Sequence, residues 1–133
     1  MFDKSKKISV EISPGELLDK ISILQIKIAK IKDKKGQKKI KKEYNILKSI
    51  KNIKIKRNNK IQALFREIKK VNLKLWNIED EIRQYESKKD FGRVFIKLAR
   101  SVYINNDKRA KLKSKINNLL RSNIKEVKSY TKY

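Results

Sequence analysis

The sequence predicts an all-α fold, an antiparallel bundle of three to four helices arranged as long helical hairpins, with one short N-terminal β-strand. Three observations carry that expectation. Apolar residues recur at 4-3 spacing over long stretches, the seam along which helices pack. Capping residues stand where those stretches begin. Leu, Ile, Val and Phe supply 40 of the 133 residues. That fraction lies above the level of roughly 20% below which a highly charged chain stays disordered.

Lys7–Ser13 reads KISVEIS, with Ile8, Val10 and Ile12 alternating with polar neighbours, the period of a half-buried strand over 7–13. Ser13-Pro14-Gly15-Glu16 follows, with Ser at the N-cap, Pro at N1 and Glu at N3. This capping box opens a helix over 14–34. Leu17, Ile21, Leu24, Ile28 and Ile31 form its seam, while Ile23 and Ile26 project to the rear, so the helix needs more than one packing partner. Lys34-Lys35-Gly36-Gln37 reads as a turn. A second helix is expected over 38–56, with Ile40, Tyr44, Leu47, Ile50 and Ile53 on a broad, slanting face, and Asn58-Asn59 breaks it. The third, over 60–88, is the most regular: Leu64, Ile68, Val71, Leu75, Ile78, Ile82 and Tyr85 alternate strictly by four and three. At 1.5 Å per residue it spans roughly 45 Å.

Asp90 is the expected cap of a fourth helix over 91–104, with Phe91, Phe95, Leu98 and Val102 on one stripe. Leu112, Ile116 and Leu119 continue that register, but only through Asn105 and Arg109. The tripeptide Asn105-Asn106-Asp107 is therefore either a break before a further helix over 107–121 or a polar layer within one kinked helix. Residues 122–133 read as a loose tail. No Gly/Ser linker and no internal repeat divides the chain, which reads as a single helical domain over 1–133.

The 38 Lys and Arg residues against 14 Asp and Glu give a formal net charge of +24. Thirty-one of the basic residues are Lys, and Lys, Ile and Asn together make up 62 residues. Those three have the most A/T-rich codons, so compositional drift accounts for much of the charge. Selection for phosphate contacts would favour Arg, whose planar fork binds phosphate in bidentate fashion. The charge is also uneven, net +13 over 27–60 and net −2 over 76–90. With no Cys, disulfides and thiolate chemistry are excluded; with no His, the usual general base and the commonest metal ligand are missing. No cofactor and no metal are expected. The longest uncharged run is six residues, far short of the ~20 a membrane span needs. The opening MFDKSKK leads into no apolar signal segment, so a cytoplasmic location is expected.

Four constellations are candidates for function. The run from Lys27 to Lys42 holds nine Lys and one acid, and on a helical hairpin it makes a positive tip. Lys34, Lys35, Lys38, Lys39, Lys41 and Lys42 are its polyanion-binding candidates, although no aromatic residue interleaves to stack on bases. On the third helix, Ile61, Phe65, Asn72, Trp76, Glu79 and Arg83 form a second stripe that turns polar around the only Trp. Glu79 and Arg83 suit a surface i, i+4 ion pair; the alternative is a partly buried polar pocket with Trp76 as a wall. Glu16, Asp19 and Lys20 lie in the first turns of helix one. There, acids suit the positive end of the dipole, and a facing pair at Glu79 and Asp80 would be needed to hold Mg²⁺. Lastly, Arg100, Tyr103, Asn106, Asp107, Arg109, Lys113 and Asn117 are varied polar groups in the region where drift explains Arg least. They suit either a structural polar layer or an anion-binding groove. As a layer between helices, Arg83, Arg100 and Arg109 would each have an acidic partner.

The segments VEISPGELLDKISILQIKIAKI (10–31), LWNIEDEIRQYE (75–86), FGRVFIKLARSVYINNDKRAKLKSKINNLL (91–120) and EVKSY (126–130) resemble a family of small bacterial proteins with no assigned function. The most specific pieces are ISPGELLDKI and ARSVY-x-x-ND-x-RA. The resemblance covers most of the chain outside 32–60 and implies a cytoplasmic helical protein, without an activity, ligand or catalytic residue.

The expected function is a non-enzymatic binding or assembly module built on helix–helix packing. A lone strand and a two-faced first helix point to a homodimer. The alternatives are weak, salt-dependent nucleic-acid (RNA) binding through the Lys27–Lys42 tip, and a small helical enzyme with an Arg/Glu/Lys site between helices. No catalytic residue is assigned, because no arrangement in the chain is specific to an enzyme class.

Overall fold

The computed structural model describes residues 2–133 and contains four helices: α1 (Pro14–Lys30), α2 (Lys34–Lys54), α3 (Asn59–Ser87) and α4 (Arg93–Leu119). They run up, down, up and down. α1 lies at the centre, packed on each of the other three, while α2 has only α1 as a helix neighbour and α3 pairs along α4. The core gathers Leu17, Leu18 and Ile21 of α1, Ile55, Ile61 of α3 and Ile116 of α4, with Tyr44 and Leu47 of α2 packed against it.

The helix starts follow from side chains at the expected places and at two others. Ser13 Oγ accepts from the Glu16 N–H at 3.1 Å and Pro14 stands at N1. Glu16 does not complete the reciprocal box; its carboxylate reaches Lys20 and Lys113 instead. The α1–α2 turn comes earlier than expected because Asp33, not Gly36, punctuates the chain. Asp33 Oδ2 caps the Gly36 N–H at 2.7 Å, which places Gly36 inside the first turn of α2. Gln37 Nε2 donates to the carbonyl of Ile28 at 2.7 Å and to that of Ile31, satisfying the end of α1. Asn58 caps α3 through the Lys60 and Ile61 N–H groups. Gly92 rather than Asp90 occupies the N-cap of α4, and Asp90 accepts from its N–H at 3.1 Å.

Among the described residues there is no strand, which corrects the expectation over 7–13. The segment is irregular and meets the C-terminal tail only through side chains, Asn123 donating to Glu11, so no ladder of backbone hydrogen bonds forms. Its alternating apolar residues lie in solvent, Ile8 at 85% and Val10 at 75% exposure. The rear face of α1 is covered as well: Ile26 is buried and Ile23 half-buried beside α3. The strand is not formed and the second face of α1 packs within the chain, so the fold lends a homodimer no support.

The tripeptide Asn105-Asn106-Asp107 does not interrupt α4. Asn105 is buried and donates to the Ser101 carbonyl one turn back at 2.8 Å, so its amide is satisfied within the helix. The tail over 122–133 is irregular yet anchored along α4. Asn123 donates to Glu11, Glu126 pairs with Lys113 at 3.0 Å, and the Tyr133 hydroxyl donates to Asp107.

Candidate functional site

Three helices meet at the side chain of Asp19, which has no solvent exposure. A buried carboxylate is costly unless it is paired and hydrogen-bonded, and here it is both. Arg109 of α4 donates from Nε to Oδ1 at 2.8 Å and from Nη2 to Oδ2 at 2.5 Å, a bidentate fork. Asn72 of α3 donates to Oδ1 and to Ser22 Oγ, both at 2.8 Å, and the Ser22 hydroxyl donates to the backbone carbonyl of Asp19 at 2.7 Å. The hydrogen bond to Asp19, with its charge, outweighs desolvation and holds the Arg109 guanidinium above its ordinary pKa. No buried side-chain nitrogen or oxygen among the described residues lacks a partner.

A second set of contacts locks the lower end of α1 to α4. The Gly15 N–H donates to Asn117 Oδ1 at 2.7 Å. A Cβ at Gly15 would lie 2.6 Å from the Lys113 carbonyl oxygen and 2.7 Å from that amide oxygen, so only glycine permits this approach. Lys113 sits between Glu16 at 3.2 Å and Glu126 at 3.0 Å. Burial pulls the Lys113 ammonium down, but the two carboxylates more than reverse this and hold it above its ordinary value. Its hydrogen bond in turn holds Glu126 below its own.

Above the Asp19 network, α1, α3 and α4 leave a cleft of about 510 Å³. Ile23, Ile26, Leu75 and Trp76 line it with apolar surface, Asn72 and Arg109 lie at its base, and Glu79, Asp80 and Arg83 border it. Only two of the five Arg109 N–H groups are used on Asp19, and the side chain is 28% exposed. Asn72 Oδ1 accepts no bond among the described residues. The base of the cleft thus sets free donors beside a free acceptor, under an apolar wall. Glu79 and Arg83 pair at 3.1 Å in solvent, and Asp80 accepts from Gln84 at 3.0 Å.

Of the residues singled out from sequence, the fold brings Asp19, Asn72, Trp76, Glu79, Asp80, Arg83 and Arg109 to this one place. Glu16 and Lys20 lie a turn below, paired with each other at 3.7 Å. Arg100, Tyr103, Asn106 and Asp107 lie elsewhere on α4. Arg100 is exposed, Tyr103 meets Tyr133 edge-on at 5.1 Å, and Asp107 holds the tail. Of the three arginines expected in an interhelical layer, only Arg109 is in one. Arg83 has its acid at the surface and Arg100 has no acidic partner among the described residues. No group of three or more acidic side chains is placed to hold a metal ion among the described residues, and the carboxylates of Glu16 and Asp19 face cations instead. Ser22, Gly15 and Glu126 also contribute, although no sequence pattern marks them as site residues. Lys34, Lys35, Lys38, Lys39, Lys41 and Lys42 are exposed on α2.

Residues 8–133 match the sequence model of a family described as Family of unknown function (DUF6165), and the chain belongs to that family. No curated protein and no solved structure matches the chain.

Proposed function

We propose that the protein is a non-enzymatic binding module whose working surface is the α1/α3/α4 cleft. The ligand places an apolar body against Ile23, Ile26, Leu75 and Trp76 and a carboxamide group at the base, its carbonyl accepting from Arg109 and its N–H donating to Asn72 Oδ1. One observation carries this reading. The buried charges under the cleft are spent on one another, Asp19 on Arg109 and Asn72, so they hold its walls in place rather than stand ready for proton transfer. What they leave available is recognition chemistry, with N–H donors and an amide acceptor beneath an open apolar surface. The volume falls within the ~300–1,000 Å³ usual for small-ligand sites.

Trp76, the only Trp, is the natural reporter. A set of small compounds, each with an apolar ring or chain and a carboxamide, is screened by quenching of its fluorescence. Saturable quenching that disappears in Ile23→Glu, with the helical circular dichroism retained, is expected. Absence of any saturable quencher, or quenching unchanged in Ile23→Glu, contradicts the proposal.

A further inference from the structure

The outward face of α2 is a second surface, independent of the cleft. α2 contributes no fully buried residue and packs on α1 alone, through half-buried Ile40, Tyr44 and Leu47. About 120° round the helix from the middle of that face, Ile46, Ile50 and Ile53 follow one another at 4-3 spacing and are 53%, 43% and 78% exposed. The same outward arc continues toward the N-terminus of α2 as Lys42, Lys39 and Lys35, all exposed. α2 carries nine lysines against one glutamate, and none of those lysines is in an ion pair among the described residues.

Three exposed isoleucines in line, continued by a row of ammonium groups, need an occupant that is apolar within and anionic at its surface. A second copy of this chain would bring two such lysine-rich helices together. Nucleic acid would meet the lysines but give the isoleucines nothing, and the aromatic ring of α2, Tyr44, is turned toward α1. An anionic lipid bilayer meets both demands. Headgroup phosphates face the lysines while the isoleucine side chains enter the boundary between headgroups and acyl chains. No helix among the described residues is long and apolar enough to cross a membrane, so α2 would lie along the surface. We propose that α2 docks the protein on anionic lipid bilayers through Ile46, Ile50, Ile53 and the lysines continuing their arc.

The test is co-sedimentation with unilamellar vesicles of phosphatidylcholine alone, or of phosphatidylcholine with an equal share of phosphatidylglycerol, at about 0.1 M salt. Binding to the anionic vesicles and none to the neutral ones is expected. At roughly fivefold per lysine, Lys39→Gln/Lys42→Gln should weaken it about twenty-five-fold. Ile46→Ser/Ile53→Ser should weaken it at least tenfold, because the apolar insertion is lost. All four positions are exposed, so unchanged thermal melts show that these variants fold. Equal binding to both vesicle types, or full binding by the isoleucine variant, overturns the proposal. So does tight binding to a single-stranded RNA with none to anionic vesicles, which would assign the lysines to nucleic acid.

Discussion

Removing Arg109 tests whether the Asp19 network is what holds α1, α3 and α4 together. In Arg109→Met the bidentate fork is lost, and the Asp19 carboxylate, with no exposure of its own, keeps only Asn72 as a side-chain partner. Breaking a buried pair from one side costs about 3–5 kcal/mol, because the remaining charge is stranded. That is a large share of the ~5–15 kcal/mol by which domains are stable. The opposite removal, Asp19→Asn, is milder at about 1–3 kcal/mol, since the guanidinium is 28% exposed and can turn to water in the cleft. The double variant Asp19→Asn/Arg109→Met leaves no buried charge and keeps an amide for Asn72. It should be more stable than the sum of the single losses predicts, by about 2 kcal/mol. Urea unfolding followed by circular dichroism and Trp76 fluorescence measures all four corners of the cycle. A loss below about 1 kcal/mol in Arg109→Met, or additivity within about 0.5 kcal/mol, would mean that the Asp19–Arg109 pair does not hold the three helices together.

Gly15→Ala places a methyl group against the Lys113 carbonyl and Asn117, forcing α1 and α4 apart, and should cost about 1–3 kcal/mol in a thermal melt. The Lys113–Glu126 clasp has a defined pH window. The Glu126 carboxyl is held below its ordinary value of 4.5, so its contribution is present above that pH and is lost as pH falls through the depressed pKa. Lys113 is held above 10.5, so its contribution is present below that pH and disappears as pH rises through the raised pKa. Backbone chemical shifts over residues 123–128 should therefore be steady at neutral pH and move toward coil values in acid; Glu126→Gln should show the acid values at pH 7. Replacing Lys34, Lys35, Lys38 and Lys39 with Gln should leave the melting temperature within a few degrees of the starting protein, because exposed charges contribute little and like-charge repulsion is relieved.

The helices were legible because their seams are long. Leu64 through Tyr85 alternates without a fault, and α3 spans Asn59–Ser87. The ends depended on which of two nearby polar residues captures the free N–H groups, and at the α1–α2 turn Asp33 captures them three residues ahead of the glycine. The strand misled because alternation reports two-sidedness only when something covers one side, and nothing pairs with 7–13. The second stripe on α3, with Asn72 and Trp76, was visible as a polar interruption, but the occupant of the facing position was not. Arg109 is 90 residues from Asp19. A signal for that pairing does exist. Asp19 stands four and seven residues before Ile23 and Ile26, and Arg109 stands within the Leu98–Leu119 register. A charge at a seam position on each of two helices is what a buried ion pair looks like in sequence. Gly15 carried no such mark, since a glycine at a helix start is common whether or not another helix lies against it.

The most direct test of the cleft as the working surface is a backbone amide chemical-shift map, recorded with and without the strongest Trp76-quenching compound. Changes are expected at Ile23, Ile26, Asn72, Leu75, Trp76 and Arg109, with α2 unmoved. Changes confined to α2 or to the tail would contradict that role of the cleft.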